Sequence, residues 1–236
     1  MLDFLLALIY PKRCVSCNKD KCGYLCGVCF SRISFHESTI CPVCLRGSID
    51  GRTHPKCRTQ YDIVGLISGV EYGQVIKKLI HKFKYKPYIC DLKNTIGEIF
   101  VESLENNELF KTLVADSQVL LLPIPLSKKR LRMRGYNQSQ LLAFYVAQYY
   151  GLEYNCNVIT RIKETRPQFM LDKKARFENI KNAFILNKSF KSLIQNRTIF
   201  LIDDVATTCS TLRSAAKTLR RNGSGDVYGV TFAKEL

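Results

Sequence analysis

Two groups of residues in this 236-residue chain have the types and spacings that do chemistry. The first is a series of cysteine pairs, Cys14-x2-Cys17, Cys26-x2-Cys29 and Cys41-x2-Cys44, followed by His54-x2-Cys57. Each CxxC turn offers two thiolates to one ion, and two such pairs complete a tetrahedron around zinc. Three pairs with His54 and Cys57 allow two zinc ions, or one four-thiolate site with thiols left over. Cys22, Cys90 and Cys156 lack paired spacing and read as buried or free thiols, while His36 and His81 stand alone and read as core or surface residues. The second group is Asp203 and Asp204, which follow the hydrophobic run 199–202 and precede Val205, Ala206, Thr207, Thr208, Cys209, Ser210 and Thr211. Adjacent carboxylates at the carboxyl end of a strand suit the vicinal hydroxyls of a sugar. A hydroxyl-rich turn that opens a helix surrounds a phosphate with N–H groups and side chains. A buried strand followed by a threonine-capped helix explains the hydrophobics, but not two acids beside four hydroxyls.

Those residues need elements to hold them. Residues 62–72 read as a strand, and 74–85 carry Ile76, Leu79, Ile80 and Phe83 at the spacing of one helix face. Lys77, Lys78, Lys82 and Lys84 fall largely off that stripe, toward solvent or a ligand. A second helix is predicted around 91–105, and the run 118–124 is apolar enough for a strand covered on both faces. Helical periodicity returns over 138–150, a short strand follows at 157–162, and 163–178 is a charged loop. A buried strand at 198–202, a helix at 208–221 stopped by Asn222 and Gly223, and a final strand at 226–233 complete the series. Strand and helix alternate, which predicts an α/β class with a mainly parallel sheet. Residues 1–60 lack this periodicity, as expected where a metal replaces an apolar core, and predict a small zinc-binding module ahead of a domain spanning 61–236.

Composition narrows the partners. Thirty-six Lys and Arg against 20 Asp and Glu leave a formal charge of +16, which draws polyanions. The excess is local, with fourteen basic residues against four acidic ones between Leu121 and Lys191. A hydrophobic share of 46% argues against disorder, and cysteines in metal spacing rather than disulfide spacing point to a reducing cytoplasm. The apolar run 2–10 is too short to span a bilayer, holds Asp3 and leads into Pro11, Lys12 and Arg13, so it reads as a segment that packs on the fold.

The segment TIFLIDDVATTCSTL, residues 198–212, resembles the signature of the type I phosphoribosyltransferases: four hydrophobics, two acids, two small or aliphatic residues and a Thr-Thr-Gly-x-Thr loop. It departs from that signature at Cys209, where a glycine is usual and where a positive φ is costly for other residues. The resemblance implies that Asp203 to Thr211 bind phosphoribosyl pyrophosphate accompanied by Mg²⁺, and that Ser127 and Lys128 occupy the pyrophosphate-loop region. Arg130 and Arg134 offer planar donors to a diphosphate or a nucleic-acid backbone. The stretch 161–184, with Arg161 and Arg176, lies where such enzymes carry a closing loop.

Taken in order, the CxxC series, KFKY at 82–85, PIPLSKKRLRMRGYNQSQ at 123–140, RPQ at 166–168, RFENIKNAF at 176–184 and LIDDVATTCST at 201–211 resemble the ComF family of competence proteins over nearly the whole chain. Gln60 stands where a further cysteine is common, so the last pair is His54 with Cys57. The resemblance implies a bacterial cytoplasmic factor of natural transformation, working near the inner membrane through its partners without inserting in it. It would handle single-stranded DNA with a competence helicase and bind a phosphoribosyl-pyrophosphate-type ligand. Lys82, Lys84, Tyr85, Arg161 and Arg176 join Arg130 and Arg134 as candidate contacts to nucleic acid or pyrophosphate, since aromatics stack bases while cations meet phosphates. The alternative is an active Mg²⁺-dependent phosphoribosyltransferase whose acceptor the sequence does not reveal.

Overall fold

The computed structural model describes residues 12–35, 39–86, 88–115, 118–163 and 182–235. Its strands are β1 (Gly65–Glu71), β2 (Val119–Pro123), β3 (Glu153–Tyr154), β4 (Ile159–Arg161), β5 (Phe184–Leu186), β6 (Thr198–Ala206) and β7 (Val227–Lys234). The helices are α1 (Gly27–Phe30), α2 (Gln74–Lys84), α3 (Leu92–Glu105), α4 (Glu108–Ala115), α5 (Lys128–Arg134), α6 (Gln138–Tyr150) and α7 (Ser210–Arg221). Five strands form one parallel sheet in the order β1-β7-β6-β2-β3, and β4 pairs antiparallel with β5.

The apolar runs are covered on both faces because successive side chains on a strand point to opposite sides. Val119 and Leu121 of β2, with Phe200 and Ile202 of β6, enter a core shared with α2, α3 and α6. Leu120, Leu122, Ile199 and Leu201 enter a second core, which α7 and the β4–β5 pair close. Helix α2 buries Val75, Ile76, Leu79, Ile80 and Phe83, the stripe expected from its spacing. Gly97 lets α3 approach α6, because a Cβ there would lie 2.6 Å from the Tyr145 ring.

Several elements differ from the sequence expectation. Strand β6 does not stop at Ile202; it keeps its ladder with β7 through Asp203↔Thr231 and Ala206↔Lys234, so both acids lie in the strand and only Thr207, Thr208 and Cys209 remain as loop before α7. The basic segment after β2 is a helix, α5. Ser127 caps it by accepting from the Arg130 N–H, Lys and Arg favour it, and Gly135 ends it with a φ of 81°. No residue of α5 is buried, so apolar periodicity had nothing to show there. Helix α4 and the two-residue β3 also went unannounced. The run 2–10, His36, and residues 164–181 with Arg176 and the RPQ segment lie outside the described residues. No helix among the described residues is long and apolar enough to cross a membrane.

Candidate functional site

The cysteines gather into two sets. Cys14, Cys17, Cys26 and Cys29 form one, and Cys41, Cys44, His54 and Cys57 the other, each with its ligand atoms within 4.8 Å of one another. The two sets are built on one turn used twice. In the first, Cys14 N–H donates to the Lys19 carbonyl and Asn18 N–H to the Cys14 carbonyl; in the second, Cys41 N–H donates to Arg46 and Leu45 N–H to Cys41. Asn18 (φ 63°) and Leu45 (φ 64°) bend the chain identically after the second cysteine of each pair. The ligand atoms thus fall into two four-residue sets, where spacing alone allowed two sites or one.

Both sets fit zinc. Cys17 Sγ lies 3.6 Å from Cys26 Sγ, near the edge of a tetrahedron with Zn–S bonds of about 2.3 Å. His54 Nδ1 faces Cys44 Sγ at 3.3 Å, while its Nε2 lies 2.9 Å from the Gly47 carbonyl, the outer hydrogen bond that fixes a metal-binding imidazole. Burial raises the Cys14 thiol, but N–H groups of Cys17, Cys26 and Ser16 outweigh it and bring the thiol down to about 6, whereas Cys29 of the same set is raised, the pull of Ser16 being outweighed by burial and the neighbouring thiols. The first set belongs to the α2-side core and is tied to α2 by Lys78 Nζ, which donates to the Ser16 carbonyl at 2.6 Å. The second set adjoins β1, where Thr53 N–H donates to Val64 and Arg52 pairs with Gly65.

At the carboxyl end of the sheet lies a cleft of about 330 Å³. Its floor is the acidic pair. Asp203 Oδ1 accepts from the Ser139 hydroxyl at 2.8 Å and from the Asp204 N–H at 2.9 Å; Asp204 Oδ1 accepts from Lys84 Nζ at 2.8 Å. Burial, then the neighbouring Asp204 charge, push the Asp203 carboxyl up to about 6, against the pull of Lys84 and Ser139. Burial lowers the Lys84 ammonium, yet Asp204 more than restores it and holds its pKa above the ordinary value. Arg130, Arg134, Arg161 and Lys77 stand around this floor.

The segment RGYNQ, residues 134–138, is a brace. Tyr136 Oη and Gln138 Nε2 both donate to the Phe83 carbonyl at the end of α2, at 2.9 and 2.8 Å. Asn137 Nδ2 donates to Ile124 after β2, and Arg134 Nη1 to Gln138 Oε1. Lys84 and Tyr85 are thereby set at the cleft, with Tyr85 stacked 4.9 Å from His81 and 5.7 Å from the Arg134 guanidinium.

Of the residues singled out in the sequence, the cleft brings together Lys84, Tyr85, Arg130, Arg134, Arg161, Asp203, Asp204, Val205, Thr207 and Thr211. It does not bring in Lys82, Lys128, Ala206, Thr208, Cys209 or Ser210. Ser127 is buried as the cap of α5, Lys128 is exposed, and Thr208 Oγ1 bonds to Ser210 Oγ at 2.7 Å. Cys209 takes the left-handed conformation of the glycine it replaces, with φ 55°, and burial pushes its thiol up to about 12. Ser139, Gln138, Tyr72 and Glu235 line the cleft and were missed. For Ser139 a signal existed: it sits three and four residues before the buried Leu142 and Ala143, a polar residue on the buried face of α6.

A double zinc ribbon domain matches residues 5–58. Along its length the chain is 30% identical over 219 residues to the DNA utilization protein YhgH of Salmonella typhimurium, covering 86% of this chain and 93% of that protein. It is 29% identical over 215 residues to competence protein F of Haemophilus influenzae, covering 91% and 86%. To competence protein ComFC of Bacillus subtilis it is 27% identical over 229 residues, covering 92% and 82%.

Proposed function

The chain belongs to the ComF family of competence proteins, and from that premise we propose that it serves the use of incoming DNA by binding single strands and a phosphoribosyl-pyrophosphate-type ligand. One observation carries the ligand reading: adjacent carboxylates at the end of β6, facing a cleft lined by Lys77, Lys84, Arg130, Arg134 and Arg161. The acids accept hydroxyls of a ribose, the start of α7 offers N–H groups to its phosphate, and the cations meet a diphosphate. Tyr85 and His81 at the same rim offer faces to a base. The +16 charge supports a nucleic-acid partner, and a competence helicase fits the same setting in the cytoplasm, peripheral to the inner membrane. Residues 1–60 act in this reading as a zinc module that supports 61–236, each ion cross-linking one ribbon.

The test has two arms. Anisotropy of a labelled single-stranded oligonucleotide is expected to show affinity that falls steeply between about 50 and 200 mM salt, with a slope of about −0.7 per phosphate contact. Calorimetry with phosphoribosyl pyrophosphate is expected to show binding that Asp203→Asn abolishes. No binding in an arm refutes that arm.

A second reading, phosphoribosyl transfer to an acceptor, is favoured by the left-handed turn kept at Cys209, which preserves the phosphate loop despite the missing glycine. Pyrophosphate release with an offered nucleobase or amine would establish it. Mg²⁺ enters either reading on the ligand's diphosphate. The acidic pair itself does not fit a directly bound Mg²⁺, since Lys84 holds Asp204 while Ser139 and a backbone N–H hold Asp203.

A further inference from the structure

We propose that the ammonium of Lys84 is the resident cation of the Asp203–Asp204 pair, so that a phosphorylated ribose binds this cleft without a divalent metal at the carboxylates. The ligand half of this inference rests on the reading in the preceding subsection; the cation half stands on geometry alone.

Two neighbouring carboxylates in a largely buried floor need a positive charge close by, or they repel each other and any phosphate that approaches. Nζ of Lys84 supplies it at 2.8 Å from Asp204 Oδ1, with side-chain exposures of 21% and 9%. The ammonium is not a loose end. Lys84 is the last residue of α2, directly after Phe83, which is fully buried and whose carbonyl takes two hydrogen bonds from Tyr136 and Gln138. A divalent ion bound to the same oxygen at about 2.0–2.1 Å would stand only about 4 Å from the ammonium, and the two positive charges would repel in this largely buried floor. On Asp203, Oδ1 already takes two donors, which leaves Oδ2 for one hydroxyl of a sugar. The negative charge of a diphosphate also has local partners, because Lys77, Arg130, Arg134 and Arg161 line the same cleft. Each task that a metal performs at such a site, charge neutralisation and orientation of a carboxylate, is thus assigned to a side chain.

The inference is tested on the full-length, zinc-loaded chain in buffer stripped of free metal by a chelating resin, with zinc content and melting temperature checked for every variant. Calorimetry of phosphoribosyl pyrophosphate is expected to give wild-type affinities within about threefold with and without Mg²⁺. Lys84→Met is expected to lose at least about tenfold without metal and to recover part of it when Mg²⁺ is added. Lys84→Arg keeps the metal independence, whatever its absolute affinity. A gain of about tenfold or more on adding Mg²⁺ to wild type that Asp204→Asn removes puts a metal at the carboxylates and overturns the proposal while leaving the ligand reading intact, whereas a gain that survives Asp204→Asn belongs to the ligand's diphosphate and leaves the proposal standing. A second measurement needs no ligand: electron paramagnetic resonance of added Mn²⁺ is expected to reveal one bound ion in Lys84→Met that wild type lacks and that Lys84→Met with Asp204→Asn loses again. Equal Mn²⁺ uptake by wild type and Lys84→Met refutes the resident cation. If wild type binds no phosphoribosyl pyrophosphate under either condition, the ligand reading falls, and the Mn²⁺ result decides the role of Lys84 by itself.

Discussion

The ribbons and the cleft hold chemically demanding groups by opposite means. Each metal set comes from one short stretch, Cys14 to Cys29 or Cys41 to Cys57, on a turn that the chain uses twice. The cleft draws Lys84 from α2, Ser139 from α6 and the two acids from β6, and ties them together only when the sheet is complete. In the ribbons the chemistry makes the fold, because a bound ion replaces an apolar core. In the cleft the fold makes the chemistry, and it carries a feature that costs stability, a carboxyl pushed up to about 6. Ribbon substitutions should therefore unfold the protein, whereas cleft substitutions should abolish binding and leave the fold as stable or more so.

The sharpest way to break this contrast is Cys29→Ser. Cys29 is 1% exposed and belongs both to the first metal set and to the core that α2 shares. Loss of this ligand is expected to release one zinc equivalent and cost about 4 kcal/mol or more, the scale of a lost metal in a core. Zinc content and urea unfolding would show it, and unchanged stability would deny that the first ribbon is part of the core. His54→Ala sits at the other end of the same idea. His54 is partly exposed and its set lies along β1, so the variant should lose one zinc equivalent at about 2 kcal/mol, and His54→Cys should restore both.

Asp203 tests the cleft side. Because its carboxyl is raised from 3.8 to about 6, the folded chain keeps a proton between about pH 4 and 6 that the unfolded chain has released. The stability tied to this proton is full below about pH 4 and is lost as pH rises through 6. Asp203→Asn removes that loss, and should raise the melting temperature at pH 7 by about 2–4 °C, on the order of 1 kcal/mol, with no gain at pH 4. The same variant should no longer bind phosphoribosyl pyrophosphate. Calorimetric melts across this range check the sign, and destabilisation at pH 7 would mean that the acid belongs to the framework.

This contrast also governs what the sequence makes legible. Cysteine spacing announces metal sites because all the ligands are local, and strand and helix periods announce the parallel sheet because each face must be covered. The Asp203–Asp204 pair and the loop after it were legible for the same reason, lying in one segment. The partners of that pair were not. Lys84 reads as a contact for nucleic acid or pyrophosphate, since nothing within α2 foretells an acid on β6, and Ser139 hides in a polar helix start. Gln138 and Tyr136 sit among basic residues that suggest a ligand contact, although their bonds go to the Phe83 backbone. The extension of β6 past the acids depends on a ladder with β7, a pairing set by the far end of the chain.

The smallest expected effect on stability comes from Cys209→Gly. A glycine relieves about 1 kcal/mol of left-handed strain at φ 55°, but it also empties the space of a thiol that is 4% exposed, so the net change should stay under about 1 kcal/mol. Ligand affinity is a separate quantity. The thiol, pushed up to about 12 by burial, is uncharged at neutral pH and repels no phosphate; what it adds at the turn is bulk and stiffness. Removing the Cβ lets the loop backbone close on a phosphate, so the variant should bind phosphoribosyl pyrophosphate several-fold tighter, by calorimetry, with an almost unchanged melting temperature. Weaker binding would show instead that the buried side chain holds Thr207 and Thr211 in place, and the loop would then belong with the ribbons, where a cysteine makes the fold.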